Sequence, residues 1–441
     1  MTSPSRLSPG AEHRQDVGVT EADSQQPRVA LAHHLQRMTG RDPHEDGRAA
    51  TPLELLFDLT FVIAFGVSAS EFAHLLAANH VGAGLTGFAF CTFAVSWAWI
   101  NFSWFASAYD TDDWVYRLTT MLQMVGVIIL AMGIPPVYSS IEEGEHVDNR
   151  VLVAGYVVMR IAMVFQWLRA ARQDPQRRRA CLSYAAAIVV TQIGWIAAIF
   201  VDTTVPQTMV LFVVLIVIET TGPWIAERRM GGTPWHAHHI AERYSLVVII
   251  ALGEGVVGTV ASLTAVVSEQ GWTVDAALVA LAGTGLTFGM WWVYFVIPSA
   301  PLLHARRERS FVWGYGHIVL FGAIVATGAG LHAAAYYIEH QSKLGPVECV
   351  LAVAIPVGVY ILWVYWLYFV LVRSLNLSHV VVIIGSVLVL AAAVGLAAAG
   401  VDMAVCQVVV MFAPMVTVVG FEMVGHHHAE DAIAAAMSSE L

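Results

Sequence analysis

The chain has 441 residues, of which 57% are hydrophobic and only 12% charged, with a mean hydropathy of +0.66. That is about half the charge of a soluble globular protein, too little to cover two or three water-exposed domains, and it predicts a polytopic membrane protein. A formal net charge of −11 leaves no basic face for nucleic acid. The partners expected are the lipid bilayer and a small ion or solute, with a homo-oligomer left open.

Residues 1–50 are polar, carry six Arg against seven acids and lack the charged, apolar, small-residue order of a signal peptide. They read as a disordered cytoplasmic tail. From Thr51 onward, apolar runs of bilayer-crossing length (about 20 residues) recur. Twelve spans are predicted: 52–75, 83–107, 114–138, 150–172, 180–201, 206–226, 240–267, 274–298, 310–334, 347–372, 379–399 and 403–424. Basic residues test this count, because they collect on cytoplasmic loops. With the tail inside, inward segments hold eighteen of the 22 Lys and Arg. Arg150 and Lys343 fall outside, and Arg160 and Arg243 fall within spans. Both termini are therefore expected to be cytoplasmic.

An internal repeat is also expected. Asp58–Gly66 (DLTFVIAFG) lines up with Ser245–Gly253 (SLVVIIALG), and Val164–Arg172 with Trp363–Leu371. Val201-Asp202 lines up with Val401-Asp402, and Glu219 with Glu422. The predicted fold is an all-α transmembrane bundle of two parallel six-helix repeats, 51–226 and 240–424. A cytoplasmic connector, 227–239, joins them, and 425–441 forms a second cytoplasmic tail. An even number of helices per half gives both halves the same orientation.

Charges inside a bilayer are costly unless paired or facing a polar cavity, so they carry the functional signal. Glu54 and Asp58, at i,i+4, stand on one face of the first helix about 6 Å apart, placed to share a proton or a cation. A solvated or capping role at the membrane edge competes with that reading. The seventh helix opens on His239-Ile-Ala-Glu242-Arg243 and reaches Gly253-Glu254-Gly255. Repeat symmetry sets it beside the first helix, which predicts an Asp58–Arg243 ion pair. Glu254, roughly 16 Å beyond Arg243, and Arg160 are both expected near the midplane, which predicts a Glu254–Arg160 pair. Glu219 and Glu422, late in their half-ends, are either pathway carboxylates or solvated end residues. An ion or substrate pathway would thus draw on Glu54, Asp58, Arg160, Glu219, Glu242, Arg243, Glu254 and Glu422.

Histidines before the seventh helix (His236, His238, His239) and after the twelfth (His426, His427, His428) are weak metal candidates, since only His238 and Glu242 share ligand spacing. Hydrogen bonds to water or headgroups explain them as well. His317 and His332 are either proton-relay members or hydrogen-bonders between packed helices, and the second reading is favoured. Cys91, Cys181, Cys349 and Cys406 are dispersed, with no CxxC, and read as buried packing residues. Trp97, Trp99, Trp104, Trp291 and Trp292 are expected to pack or to anchor at the interface. Nucleotide-binding, zinc-protease, serine-hydrolase and potassium-filter motifs are missing. No cofactor and no catalytic residue is therefore predicted.

Two segments carry a family resemblance. Thr51–Val62 (TPLELLFDLTFV) and His239–Glu254 (HIAERYSLVVIIALGE) resemble the signature segments of the bacterial low temperature requirement A proteins. Glu54, Phe57, Asp58, His239, Glu242, Arg243, Gly253 and Glu254 fall on those motif positions, whereas Leu56 and Tyr244 replace a frequent Phe and His. The resemblance, over about residues 50 to 425, implies a multi-pass bacterial inner (plasma) membrane protein linked to growth in the cold, without a settled activity. Two functions are carried forward. One is a transporter or channel for protons, cations or a proton-coupled solute, between helices one and seven. The other is an intramembrane enzyme or membrane-sensing scaffold whose buried ions are structural.

Overall fold

The structure, a computed structural model, describes residues 34–425 except 46, 145, 202, 375 and 376, and also residue 434. The expectations for residues 1–33, for Asp202, for His426, His427 and His428, and for nearly all of the C-terminal tail lie outside the described residues.

Twelve helices are long and apolar enough to cross a membrane: α1 Pro52–Ala77, α2 Val81–Tyr109, α3 Trp114–Glu143, α4 Arg150–Gln173, α5 Arg178–Ala198, α6 Val205–Arg229, α7 Ala237–Gln270, α8 Val274–Ala305, α9 Arg307–Ile338, α10 Pro346–Val372, α11 Leu377–Ala398 and α12 Met403–Met423. Each overlaps one predicted span, and there is no strand among the described residues. Helix is what apolar chain in lipid must form, because it satisfies its own backbone polar groups where water is absent. Two helices are interrupted. α3 bends at Gly133, just before Pro135 and Pro136, and α8 ends its main run at Phe295 and resumes as Ser299–Ala305 after Pro298. Proline explains both breaks, since it lacks a backbone N–H and disfavours helix in the residue before it.

The lipid-facing surfaces follow from the same solvent logic. On α6, Val210, Val213, Val214, Val217 and Ile218 are exposed together, and on α11, Val380, Val381, Ile384, Val387 and Leu388. Their i, i+3, i+4, i+7 spacing is that of an amphipathic helix, with the apolar stripe turned outward. α9 lies at the other extreme. It is the most enclosed helix, packed by α7, α10, α1 and α2. Small residues permit this crowding. A Cβ on Gly330 would fall 2.2 Å from the Ala352 carbonyl oxygen, and one on Gly258 would fall 2.4 Å from that of Gly328.

Residues 35–50 depart from the disordered tail expected for 1–50. The Arg41 N–H donates to Ala108 O at 3.0 Å. The N–H groups of Met38 and Gly40 donate to Gln173 Oε1 at 2.6 Å and to Asp174 Oδ2 at 3.3 Å. Met38 is fully buried and Arg48 is 7% exposed. Composition missed this because the segment is held by polar groups at the helix ends rather than by apolar burial of its own. The four cysteines are buried and free, as expected.

Candidate functional site

Thr51 caps α1. Its hydroxyl accepts the Glu54 N–H at 3.3 Å and the Glu54 carboxylate accepts the Thr51 N–H at 2.8 Å, a capping box with Pro52 at the first helical position. This fixes Glu54 one turn into α1, and Asp58 one turn further on the same face. α7 begins with His236 as its cap, which points His239 and then Arg243 toward that face.

The charges converge as a buried cluster. Arg243 is fully buried; its Nε and Nη2 donate to Asp58 Oδ2 and Oδ1 at 3.1 and 2.6 Å. Its Nη1 stands 3.0 Å from Glu54 Oε1, an ion contact whose angle falls short of a hydrogen bond. His239 Nε2 reaches Glu54 Oε2 at 3.2 Å, and Trp99 Nε1 donates to Asp58 Oδ1 at 2.7 Å. The expected Asp58–Arg243 pair is therefore formed. The expected sharing of a proton or cation between Glu54 and Asp58 is replaced by a guanidinium bridging both carboxylates. Glu54 does cap, but its side chain is fully buried rather than solvated. Two carboxylates share the one guanidinium, with His239 beside Glu54.

The second expected pair is not formed. Arg160 donates to Glu219 Oε1 at 2.5 Å and to Tyr156 Oη at 3.2 Å, while Trp195 Nε1 holds Glu219 Oε2 at 3.0 Å. Both charged groups are about 95% buried. The reason is neighbour order. α4 packs on α3 and α5, and α5 on α6, so Arg160 looks across the first half of the chain rather than toward α7. Glu219 is thus a buried partner, whereas Glu422 is exposed near the end of α12. Their surroundings differ despite the sequence match.

Glu254 falls at the midpoint of α7 and is 7% exposed. Among the described residues, seven Asp, Glu and Arg side chains inside the spans are buried: Glu54, Asp58, Arg160, Arg169, Glu219, Arg243 and Glu254. Six have ion partners, Arg169 pairing with Asp113; Glu254 has none. Two glycines make its room. A Cβ on Gly66 of α1 would stand 3.1 Å from Glu254 Oε1, and one on Gly328 of α9 would lie 2.5 Å from the Glu254 backbone. Of the flanking glycines, Gly255 packs on Thr287, while Gly253 faces open space. The contacts 54 with 239, 58 with 243 and 66 with 254 ascend together, so α1 and α7 run parallel along one seam.

Toward the charged end, Glu242 is half-buried and accepts the Ala50 N–H at 3.1 Å. The three histidines diverge. His236 Nδ1 accepts the His239 N–H at 3.2 Å, so its Nε2 carries the proton shared with Glu45 O at 2.9 Å, and His238 stacks edge-on with His304. Burial lowers the His236 pKa, which keeps that ring neutral. No group of three metal-ligating side chains occurs among the described residues. Nearby, burial and then the Glu54 charge push Asp110 up to about 6. Burial also raises Asp113, but hydrogen bonds from Arg169, Tyr116 and Gln36 outweigh it and leave that carboxyl below its ordinary value.

His317 behaves as expected, with Nδ1 on Trp313 O at 2.8 Å and Nε2 on the Tyr294 hydroxyl at 3.0 Å. His332 stacks on Tyr336. Sequence reasoning filed Trp99 with the packing aromatics and passed over Arg48, Asp110 and Gly66. Nothing local to Trp99 marked it, because the acid it meets, Asp58, lies on α1.

Residues 49–414 match the family model described as bacterial low temperature requirement A protein. An uncharacterized protein of Rhizobium meliloti (strain 1021) is 26% identical over 363 residues, covering 77% of this chain and 82% of its own. No solved structure matches.

Proposed function

Because the chain belongs to the bacterial low temperature requirement A family, whose members span the membrane, we propose that it moves protons, a cation or a proton-coupled small solute along the α1–α7 seam. Glu254 takes up and releases the travelling charge. The observation that carries this reading is that Glu254 is buried at mid-helix with no ion partner, in a niche that Gly66 keeps open for its carboxylate. An unpaired acid at that depth is costly and marks a pathway more often than a scaffold. Glu54, Asp58 and Arg243 act as an ionic latch that closes the seam toward the Arg-rich, cytoplasmic face. The duplicated six-helix plan is supported by the parallel course of α1 and α7, which two equally oriented halves require.

The scaffold reading has its own observation, since the latch is buried and nearly fully paired. We assign it the role of fixing the register of α1 against α7, a role buried polar groups fill in other helical assemblies. The test is pH-jump flux in proteoliposomes of the bacterial protein and its Glu254→Gln variant. Proton or cation flux in the first and a loss of at least tenfold in the second is expected. Equal flux in both, or none in either with the fold intact, sinks the proposal.

A further inference from the structure

At the start of α7 a cavity of about 390 Å³ is walled by Arg48, by His238, Glu242 and Ser245 of α7, and by Tyr294 of α8 among others. Its volume lies within the range of small-ligand sites, about 300–1,000 Å³. It brings together two opposite charges that do not meet. Arg48 is 7% exposed; its Nη2 donates to Ala106 O at 3.1 Å, its Nε has no acceptor, and among the described residues no carboxylate stands in ion-pair contact with it, although the charges of Glu54 and Asp110 act on it. Glu242 also lines the cavity, and its Oε2 accepts the backbone N–H of Ala50 at 3.1 Å. Backbone bonds thus hold both side chains at the cavity without an ion pair between them, Glu242 on the Ala50 N–H and Arg48 on Ala106 O. Two flexible side chains of opposite charge in one cavity would otherwise close on each other, and burying a guanidinium without a carboxylate is costly.

We infer that this cavity binds a small zwitterion of the α-amino acid class, its carboxylate on Arg48 and its ammonium on Glu242. A guanidinium presents a planar fork that matches a carboxylate, and an acidic side chain lining the same cavity selects for a second, positive group. A plain anion would meet Glu242, and a plain cation would meet Arg48. Only a ligand carrying both charges pairs both groups. The inference rests on the transport reading in one respect: the bound zwitterion is the solute whose movement the charge on Glu254 accompanies.

The test uses the full chain in detergent for binding and in proteoliposomes for flux. Isothermal titration with the twenty common amino acids, acetate and ethylammonium should give saturable binding for at least one amino acid and none for the single-charge probes. Arg48→Gln and Glu242→Gln should each weaken that binding tenfold or more, and Arg48→Lys should restore part of it. Binding of acetate as tight as that of any amino acid, unchanged affinity in folded Glu242→Gln, or no amino-acid binding at all would overturn the inference. Proton flux without amino-acid binding overturns the zwitterion site and leaves the transport reading standing. Amino-acid binding without flux of any kind leaves the site and removes transport.

Discussion

The first turns of α7 and its midpoint bury charge in opposite ways. At Arg243, one guanidinium satisfies two carboxylates of α1, with Trp99 and His239 closing the remaining positions. At Glu254, eleven residues on, a carboxylate is nearly as buried and is matched only by space, supplied by a glycine of α1. Both face the same neighbour, so the difference comes from what α1 presents: acids at 54 and 58, nothing at 66. A paired ion holds two helices in register, and an unpaired one stays free to change its charge.

Four variants break or sharpen that contrast. The largest effect is expected at Arg243→Met, which strands Glu54 and Asp58 as buried carboxylates and should cost about 3–5 kcal/mol, read as a drop in thermal stability in detergent. Next comes Asp110→Asn, close to the latch. The native carboxyl titrates near 6 against an ordinary value of 3.8, so its burial destabilises the fold fully above pH 6 and not at all below pH 3.8. The variant should gain up to about 3 kcal/mol at pH 8 and lose that advantage as pH falls toward 4; a gain independent of pH would reject the assignment. Trp99→Phe removes one donor from Asp58 and should cost about 1–3 kcal/mol, measurable in the same melts. Glu254→Gln should cost no stability, since it removes an unpaired buried charge that is costly to hold, while it removes the proposed flux. A Glu254→Gln melt as severe as that of Arg243→Met would erase the distinction between the two sites.

The twelve helices were legible because hydropathy acts through the solvent alone: a run of apolar residues near bilayer length has one way to satisfy its backbone. The Asp58–Arg243 pair was legible because the expected repeat set the first and seventh helices side by side, with opposite charges at one depth. The Glu254–Arg160 pair failed because depth along two helices says nothing of which helices touch. α4 turned out to face Glu219 across α5, and that order depends on packing spread over the whole bundle. Trp99 was hidden among look-alikes, since its indole differs from those of Trp97 and Trp104 only in what stands opposite its N–H. Residues 35–50 were hidden by composition, which cannot distinguish a polar segment in water from one tied down by Asp174 and Gln173.

α7 has one more consequence, which follows from its length. Its 34 residues make a rod of about 51 Å, set against a hydrocarbon layer of about 30 Å. Such a rod must lean or project, and its lean depends on how thick the surrounding bilayer is. The seam that holds Glu254 against Gly66 lies along this rod, so a bilayer that thickens or thins works on it as on a lever. A series of liposomes with acyl chains of increasing length would show whether flux through the protein follows membrane thickness.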